Sequence, residues 1–333
     1  MKMNKKATLK LGGLLTVGLL LLSACGGSET EAGTGSEEMP SITIAVTPSV
    51  NGLGVATAYQ EGLFEEAGLD VTIEKITSGT EGAALLAGGD AQFAQFSMDN
   101  AINSVIEGHN NVITVPLAGQ SPERGEDPHG FGSIIVDIDS DIQSLKDLEG
   151  ERIGTSVLGG EAYLNAYQTL EEEGVDISTI EWIQIPGPQH VSAVLQGQVA
   201  AAITPEPNLS IAVLEGTIAP IADVTGALPN APSFGLASDS DWASANPQIV
   251  LAVLNSVLKA NAMLNSDREL AEEAMKEYMI IDDEVAEMVR LPVFPVEELT
   301  VTQLEPVVDR LINFDQISEA DVPNLEDVVF SAE

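Results

Sequence analysis

Thr204-Pro205-Glu206-Pro207-Asn208 sets a carboxylate between two prolines at the end of a strand-like run. Each proline fixes its own φ and restricts the residue before it, so the loop is stiff and the carboxylate is aimed. Such an acid suits an amine. Ser78-Gly79-Thr80 precedes a helical pattern that begins near Glu81. Free N–H groups and the helix dipole at that point suit an anion such as a sulfonate, and Thr80 is equally placed to act as the N-cap. Thr155 and Ser156 present the same two choices further along. Asp99 and Glu161 are further acids in loops of this kind. In a chain with 52 acids, solvated loop charge is the competing account of all three carboxylates. Basic residues that could clamp an anion are few: Arg124 and Arg152, with His129 and His190. Arg152 opens a strand and reads as a surface pair.

Enzyme chemistry has little to stand on. The three histidines, His109, His129 and His190, are scattered, and the chain contains no HExxH, no GxSxG and a single cysteine. Zinc and triad chemistry therefore lack their usual residue sets. Asn51-Gly52-Leu53-Gly54-Val55-Ala56-Thr57 resembles half of a dinucleotide fingerprint. Thr57 replaces its third glycine, and five residues separate it from the preceding strand. No catalytic residue, metal or cofactor is expected.

The elements that must carry these loops occur twice. From Ile42 to Ser97 the chain reads ITIAV, a loop, VATAYQEGLFEEAGLDVTIEKI and AALLAGGDAQFAQFS; from Arg152 to Thr204 it reads RIGTS, a loop, AYLNAYQTLEEEGVDISTIEWIQI and VSAVLQGQVAAAIT. Ala58-Tyr59-Gln60 answers Ala166-Tyr167-Gln168, Gly68-Leu69-Asp70 answers Gly174-Val175-Asp176, and Leu86, Gly88 and Ala91 answer Leu195, Gly197 and Ala200. The offset stays between 106 and 109 residues. Each copy alternates strand, helix, strand, helix, strand, which predicts parallel sheets with right-handed crossovers. Gly68 and Gly174 are placed to end their helices. Ligands of open α/β sheets sit beyond the carboxyl ends of the strands, where the loops quoted above fall. Two turn-rich segments, Gln120 to Gly132 and Ala227 to Asp239, cross between the copies and make a hinge, with Trp242 placed to line it. The remainder is helical. Asn246-Pro247 supplies a cap and an N1 proline, Asp267 and Asp282 supply two more caps, and these helices pack most simply on the first domain.

The chain opens with MKMNKKATLK and an apolar run from Leu11 to Leu22, too short for a bilayer span of roughly 20 residues. This is the pattern of a secretory signal. Leu22-Ser23-Ala24-Cys25 resembles the bacterial lipoprotein box, which implies cleavage before Cys25 and its lipidation; that accounts for a lone thiol. Gly26 to Pro40 reads as a disordered tether. Cleavage removes four lysines and no acid, leaving nine basic residues against 52 acids, a net of −43. Such a charge excludes nucleic acid and repels anionic lipid, so the tether must hold the protein at the membrane.

With AYQEGLFEEAGLDVTIEKI, LLAGGDAQFAQFS, DIQSLKDLEGERIGTS and LQGQVAAAITPEPN in this order, the chain resembles the solute-binding lipoproteins of bacterial ABC importers, in the group for nitrate, sulfonates, taurine and thiamine-pyrimidine precursors. The resemblance implies a periplasmic binding protein fold of type II: two α/β lobes with mainly parallel sheets, joined by a two-strand hinge. It divides the chain into a signal peptide (1–24), a tether (25–40), lobe 1 (41–129 and 232–333) and lobe 2 (130–231). It implies a monomer outside the cytoplasm, anchored by lipid at Cys25, that captures a small organic solute and delivers it to a permease. A taurine-like sulfonate is the expected ligand, with a hydroxymethylpyrimidine-type precursor, or a surface enzyme on the same fold, as alternatives. The family's ligand loops carry over to Ser49, Asn51, Ser78, Thr80, Ser97, Asp99, Thr155, Ser156 and Glu206.

Overall fold

The computed structural model describes residues 39–331; the expected leader, the anchor Cys25 and the tether as far as Glu38 lie outside the described residues. The first repeat folds as β1 (Ser41–Val46), α1 (Leu53–Gln60), α2 (Leu63–Glu66), β2 (Asp70–Lys75), α3 (Gly79–Gly88) and β3 (Phe93–Ser97). It continues into α4 (Met98–Ile106) and β4 (Asn111–Gly119). After the first crossing come β5 (Gly132–Asp137), β6 (Arg152–Thr155), α5 (Glu161–Glu172), β7 (Glu181–Gln184), α6 (His190–Leu195), β8 (Ala201–Pro205), α7 (Asn208–Leu214) and β9 (Ile218–Asp223). The second crossing leads to β10 (Pro232–Asp239). Five helices follow: α8 (Ser240–Ala245), α9 (Pro247–Ser266), α10 (Arg268–Met279), α11 (Asp283–Met288) and α12 (Val301–Asn313).

Two five-stranded sheets result, ordered β2-β1-β3-β10-β4 and β7-β6-β8-β5-β9. The orders are equivalent position by position. In each sheet one antiparallel strand, laid down directly after a crossing, interrupts an otherwise parallel set: β10 between β3 and β4, and β5 between β8 and β9. The sheets therefore exchange chain twice, through the segments after Gly119 and after Asp223.

Alternation along the strands gives each sheet two buried faces. Ile42, Ile44, Val46 and Phe93 join a core with α1, α2, α9, α10 and α11. Ala45, Ala94 and Phe96 join another with α3, α4 and α12. In the second sheet, Ile134, Ile153 and Ile203 meet α5, and Ile135 and Ala202 meet α6 and α7. The repeat extends to the helix ends. Gly68 and Gly174 take φ of 78° and 72°, and beyond them Leu69 N–H donates to Phe64 O and Val175 N–H to Leu170 O. Both closures are the Schellman type that a left-handed glycine permits.

Two local expectations are corrected. Ser78, not Thr80, is the N-cap of α3: its Oγ accepts from Glu81 N. The helix thus starts at Gly79, two residues earlier than the apolar pattern suggests. Trp242 does not line a crossing; α8 turns back over the first sheet, where the indole meets Phe93 edge to face at 5.4 Å. Asp267 and Asp282 cap α10 and α11, accepting from Leu270 N and Val285 N. Asn246 precedes the N1 proline, but its amide donates to Trp242 O instead of capping α9.

Candidate functional site

The predicted loops of the first sheet sit at the carboxyl ends of β1, β2 and β3. Ser49 Oγ lies 2.9 Å from Thr47 Oγ1, which donates to Gln95 Oε1 at 3.0 Å. Asn51 is buried, and its Oδ1 lacks a protein partner. Ser97 caps α4 by accepting from Asn100 N. At α3, Glu81 turns back on its own helix start: Oε2 accepts from Thr77 N and Thr77 Oγ1, both at 2.8 Å. These bonds hold the Glu81 carboxyl below its ordinary range. The helix end that would suit an external anion at Ser78 and exposed Thr80 therefore already faces an internal carboxylate.

On the second sheet, Thr155 ends β6 fully buried, with no partner for Oγ1. Ser156 Oγ lies 3.5 Å from His190 Nε2, which contacts Ile185 O at 2.9 Å. Burial pushes the His190 imidazole below its usual pKa, so it stays neutral and donates to that carbonyl. Glu206 is 1% exposed and its carboxylate is saturated. Oε1 accepts from Ser210 Oγ (2.8 Å), His129 Nε2 (2.9 Å) and Arg290 N (3.1 Å), and Oε2 accepts from Ser210 N at 3.0 Å. The stiff proline-flanked loop does aim this acid, but toward α7, the first crossing and the segment after α11. Glu206→Ala is expected to lower the free energy of unfolding by about 2 kcal/mol, since several buried donors lose their acceptor. Urea denaturation would measure this, with Glu206→Gln losing less because one acceptor oxygen remains.

Where α4, α5 and α12 meet, a buried polar seam connects the two halves. Both oxygens of Asp99 accept from Arg310 Nη2, at 2.8 and 3.0 Å. Arg310 Nη1 donates to Asn165 Oδ1, and its Nε has no protein partner. Gln120, at the start of the first crossing, donates from Nε2 to Asn165 Oδ1 (3.0 Å) and Glu161 Oε1 (3.2 Å), and its Oε1 accepts from Leu228 N in the second crossing. Burial, and next the Asp99 charge, push the Glu161 carboxyl up to about 7. Apolar packing reinforces the seam: Leu164 of α5 enters the core formed by Leu304, Val307 and Leu311 of α12. A row of rings, Trp182, Tyr163, Tyr167 and Phe314, runs beside it with centroids 4.7, 5.9 and 4.9 Å apart in turn.

Residues 49–269, about two thirds of the chain, match the profile of the NMT1/THI5-like family. The chain belongs to this family. No curated protein matches the sequence. Among solved structures, the ligand-binding component of an ABC-type import system from Staphylococcus aureus, with zinc bound, is similar at a TM-score of 0.75 and 12% identity, over 87% of this chain and 96% of that one. The periplasmic nitrate-binding protein NrtA from Synechocystis PCC 6803 gives 0.71 and 14%, over 88% and 86%. The periplasmic aliphatic sulphonate binding protein SsuA from Escherichia coli gives 0.67 and 19%, over 87% and 96%. At these identities the likeness is one of fold: this NMT1/THI5-like chain has the periplasmic binding protein fold.

Within that fold, Asp99 is the one predicted site residue in the seam; Glu161, a loop acid by its sequence pattern, joins it. Arg310, Asn165 and Gln120 were not foreseen. Arg310 borders the apolar face set by Leu304, Val307, Val308 and Leu311, and an arginine in that position is a signal that a partner is buried with it. The nine lysines and arginines among the described residues are all engaged by carboxylates or backbone carbonyls of the chain itself. Arg124 pairs with Glu172 and Arg152 donates to Gly197 O, so neither proposed clamp is free. The described residues contain no group of three or more His, Cys, Asp or Glu that could hold a metal ion. A groove of about 420 Å³ opens elsewhere, between Arg124–Pro128 and Gln143–Lys146, and none of the nine predicted ligand residues lines it.

Proposed function

We propose that this protein is the solute-binding component of an ABC importer, anchored outside the cytoplasm through Cys25. Lobe 1 (41–129 and 232–333) and lobe 2 (130–231) close on a small organic solute and present it to a permease, and the protein acts as a monomer without chemical turnover. The observation that supports this most directly is the pair of equivalent sheets, exchanging chain twice and meeting across a buried polar seam. Two lobes hinged in this way gain closing free energy only from contacts a ligand makes with both.

Ser49, Asn51, Ser97, Thr155 and Ser156 supply hydroxyl and amide groups for the solute, with Ser78 and Thr80 at the outer rim. Asp99 and Glu206 position neighbouring groups, because their oxygens are already bonded within the chain. The charge balance favours a solute bearing an amine. Asp99 matches Arg310, which leaves the Glu161 carboxyl without a cation of its own. A taurine-like sulfonate meets this demand. A pyrimidine wants a ring to stack on, and the aromatic row beside α5 is packed ring against ring.

Native mass spectrometry of the purified protein, followed by small-angle scattering with taurine, ethanesulfonate, nitrate and an amine-bearing hydroxymethylpyrimidine, tests the proposal. A bound solute recovered unchanged, with a smaller radius of gyration, is the expected result. Turnover of the solute would replace binding by catalysis, and tight binding at constant radius would remove closure.

A further inference from the structure

The seam holds two carboxylates and one guanidinium. Asp99 of α4 takes Arg310 of α12 with both oxygens, so the guanidinium is spent before it reaches the second acid. Glu161, the first residue of α5, is 8% exposed. Facing it are Asp99, Arg310, Gln120 from the start of the first crossing and Ser233 of β10, with Asn165 one turn along its own helix. Of these, only Arg310 carries a positive charge, and the nearest acid is a carboxylate that stays ion-paired.

We propose that Glu161 selects the charge of the solute and couples its capture to a proton: an ammonium group of the solute moving beside it displaces the proton that the side chain holds in the empty seam, and that proton passes to bulk water. This rests on the seam being part of the solute site. The elevated titration range of Glu161 agrees with the geometry, since burial and Asp99 both oppose its ionisation. An ammonium group supplies the missing countercharge and returns the acid to its ionised form. A solute without a cation gains nothing from that exchange.

Carbon NMR of the ligand-free full-chain protein, with the Glu161 carboxyl resonance assigned by its loss in Glu161→Gln, reads the first half directly. Taurine is the probe for the second half, with ethanesulfonate as the control lacking an amine. Titration of Glu161 near neutrality is expected. Taurine affinity should rise about tenfold between about pH 6 and pH 8, following the ionised fraction, and calorimetry in two buffers should show proton release. Glu161→Gln should abolish the pH dependence, and ethanesulfonate should show none. Titration of Glu161 in the ordinary carboxylate range would overturn the proposal. So would taurine binding that ignores both pH and Glu161→Gln, although the seam would then survive as the solute site. If neither taurine nor the amine-bearing pyrimidine binds while Glu161 titrates near neutrality, the amine-bearing ligand class is refuted and this coupling with it.

Discussion

Arg310→Met is expected to lower the free energy of unfolding by about 3–5 kcal/mol, the usual cost of stripping one partner from a buried ion pair. In a domain of this size that shifts the thermal midpoint down by roughly 10 °C. The cause is specific. Asp99 and Arg310 are 1% and 4% exposed, and the carboxylate has no second cation to turn to. Methionine fills the volume without replacing the donors, so Asp99 must be buried unpaired or take up a proton. Asn165 loses one of its donors as well. Adding Asp99→Asn to the same chain should restore most of the loss, because a buried neutral amide costs far less than a buried lone charge. Calorimetry on the single and double variants measures both steps. A guanidinium acting as an exposed anion clamp would give the opposite pattern, with an unchanged midpoint and lost binding.

The second large effect is a pH dependence of stability centred on Glu161. Its folded value of about 7 lies above the ordinary 4.5, so in the interval between them the folded protein binds the proton more tightly than the unfolded chain does. Stability from this group is complete below pH 4.5 and is lost as the pH rises through about 7. Over the whole interval the loss amounts to about 3 kcal/mol, at about 1.4 kcal/mol for each unit of separation. Glu161→Gln is isosteric and cannot ionise, so its stability should match the parent near pH 4 and exceed it by about that amount near pH 8. Denaturant midpoints at the two pH values decide the matter, and a constant difference between the two proteins would show that Glu161 is not the titrating group.

Local chemistry in the sequence was enough for the architecture. The two copies, offset by 106 to 109 residues, predict two equivalent α/β sheets, and the left-handed glycines at 68 and 174 mark equivalent helix ends in both. Each of these features depends on residues within a few turns of one another, so pattern and propensity carry it. Boundaries at the level of two residues escaped: Ser78 and Thr80 are both good caps, and the choice between them depends on where Glu81 places its carboxylate.

What the amino-acid sequence determined by itself was the repeat, the alternation of strands and helices, the large acid excess and the set of polar loops at the strand ends. What only the tertiary structure decided was which of those polar groups remain available. Glu206 looked poised for a ligand and is consumed by Ser210, His129 and the Arg290 backbone; Asp99 is consumed by an arginine 211 positions away. Hydrogen-bond saturation is a property of three-dimensional neighbours. A carboxylate in a loop has the same local sequence whether it faces water, a solute or a buried guanidinium, and only tertiary packing, of α12 against α4 for Asp99 and of α7 and the first crossing around Glu206, settles which.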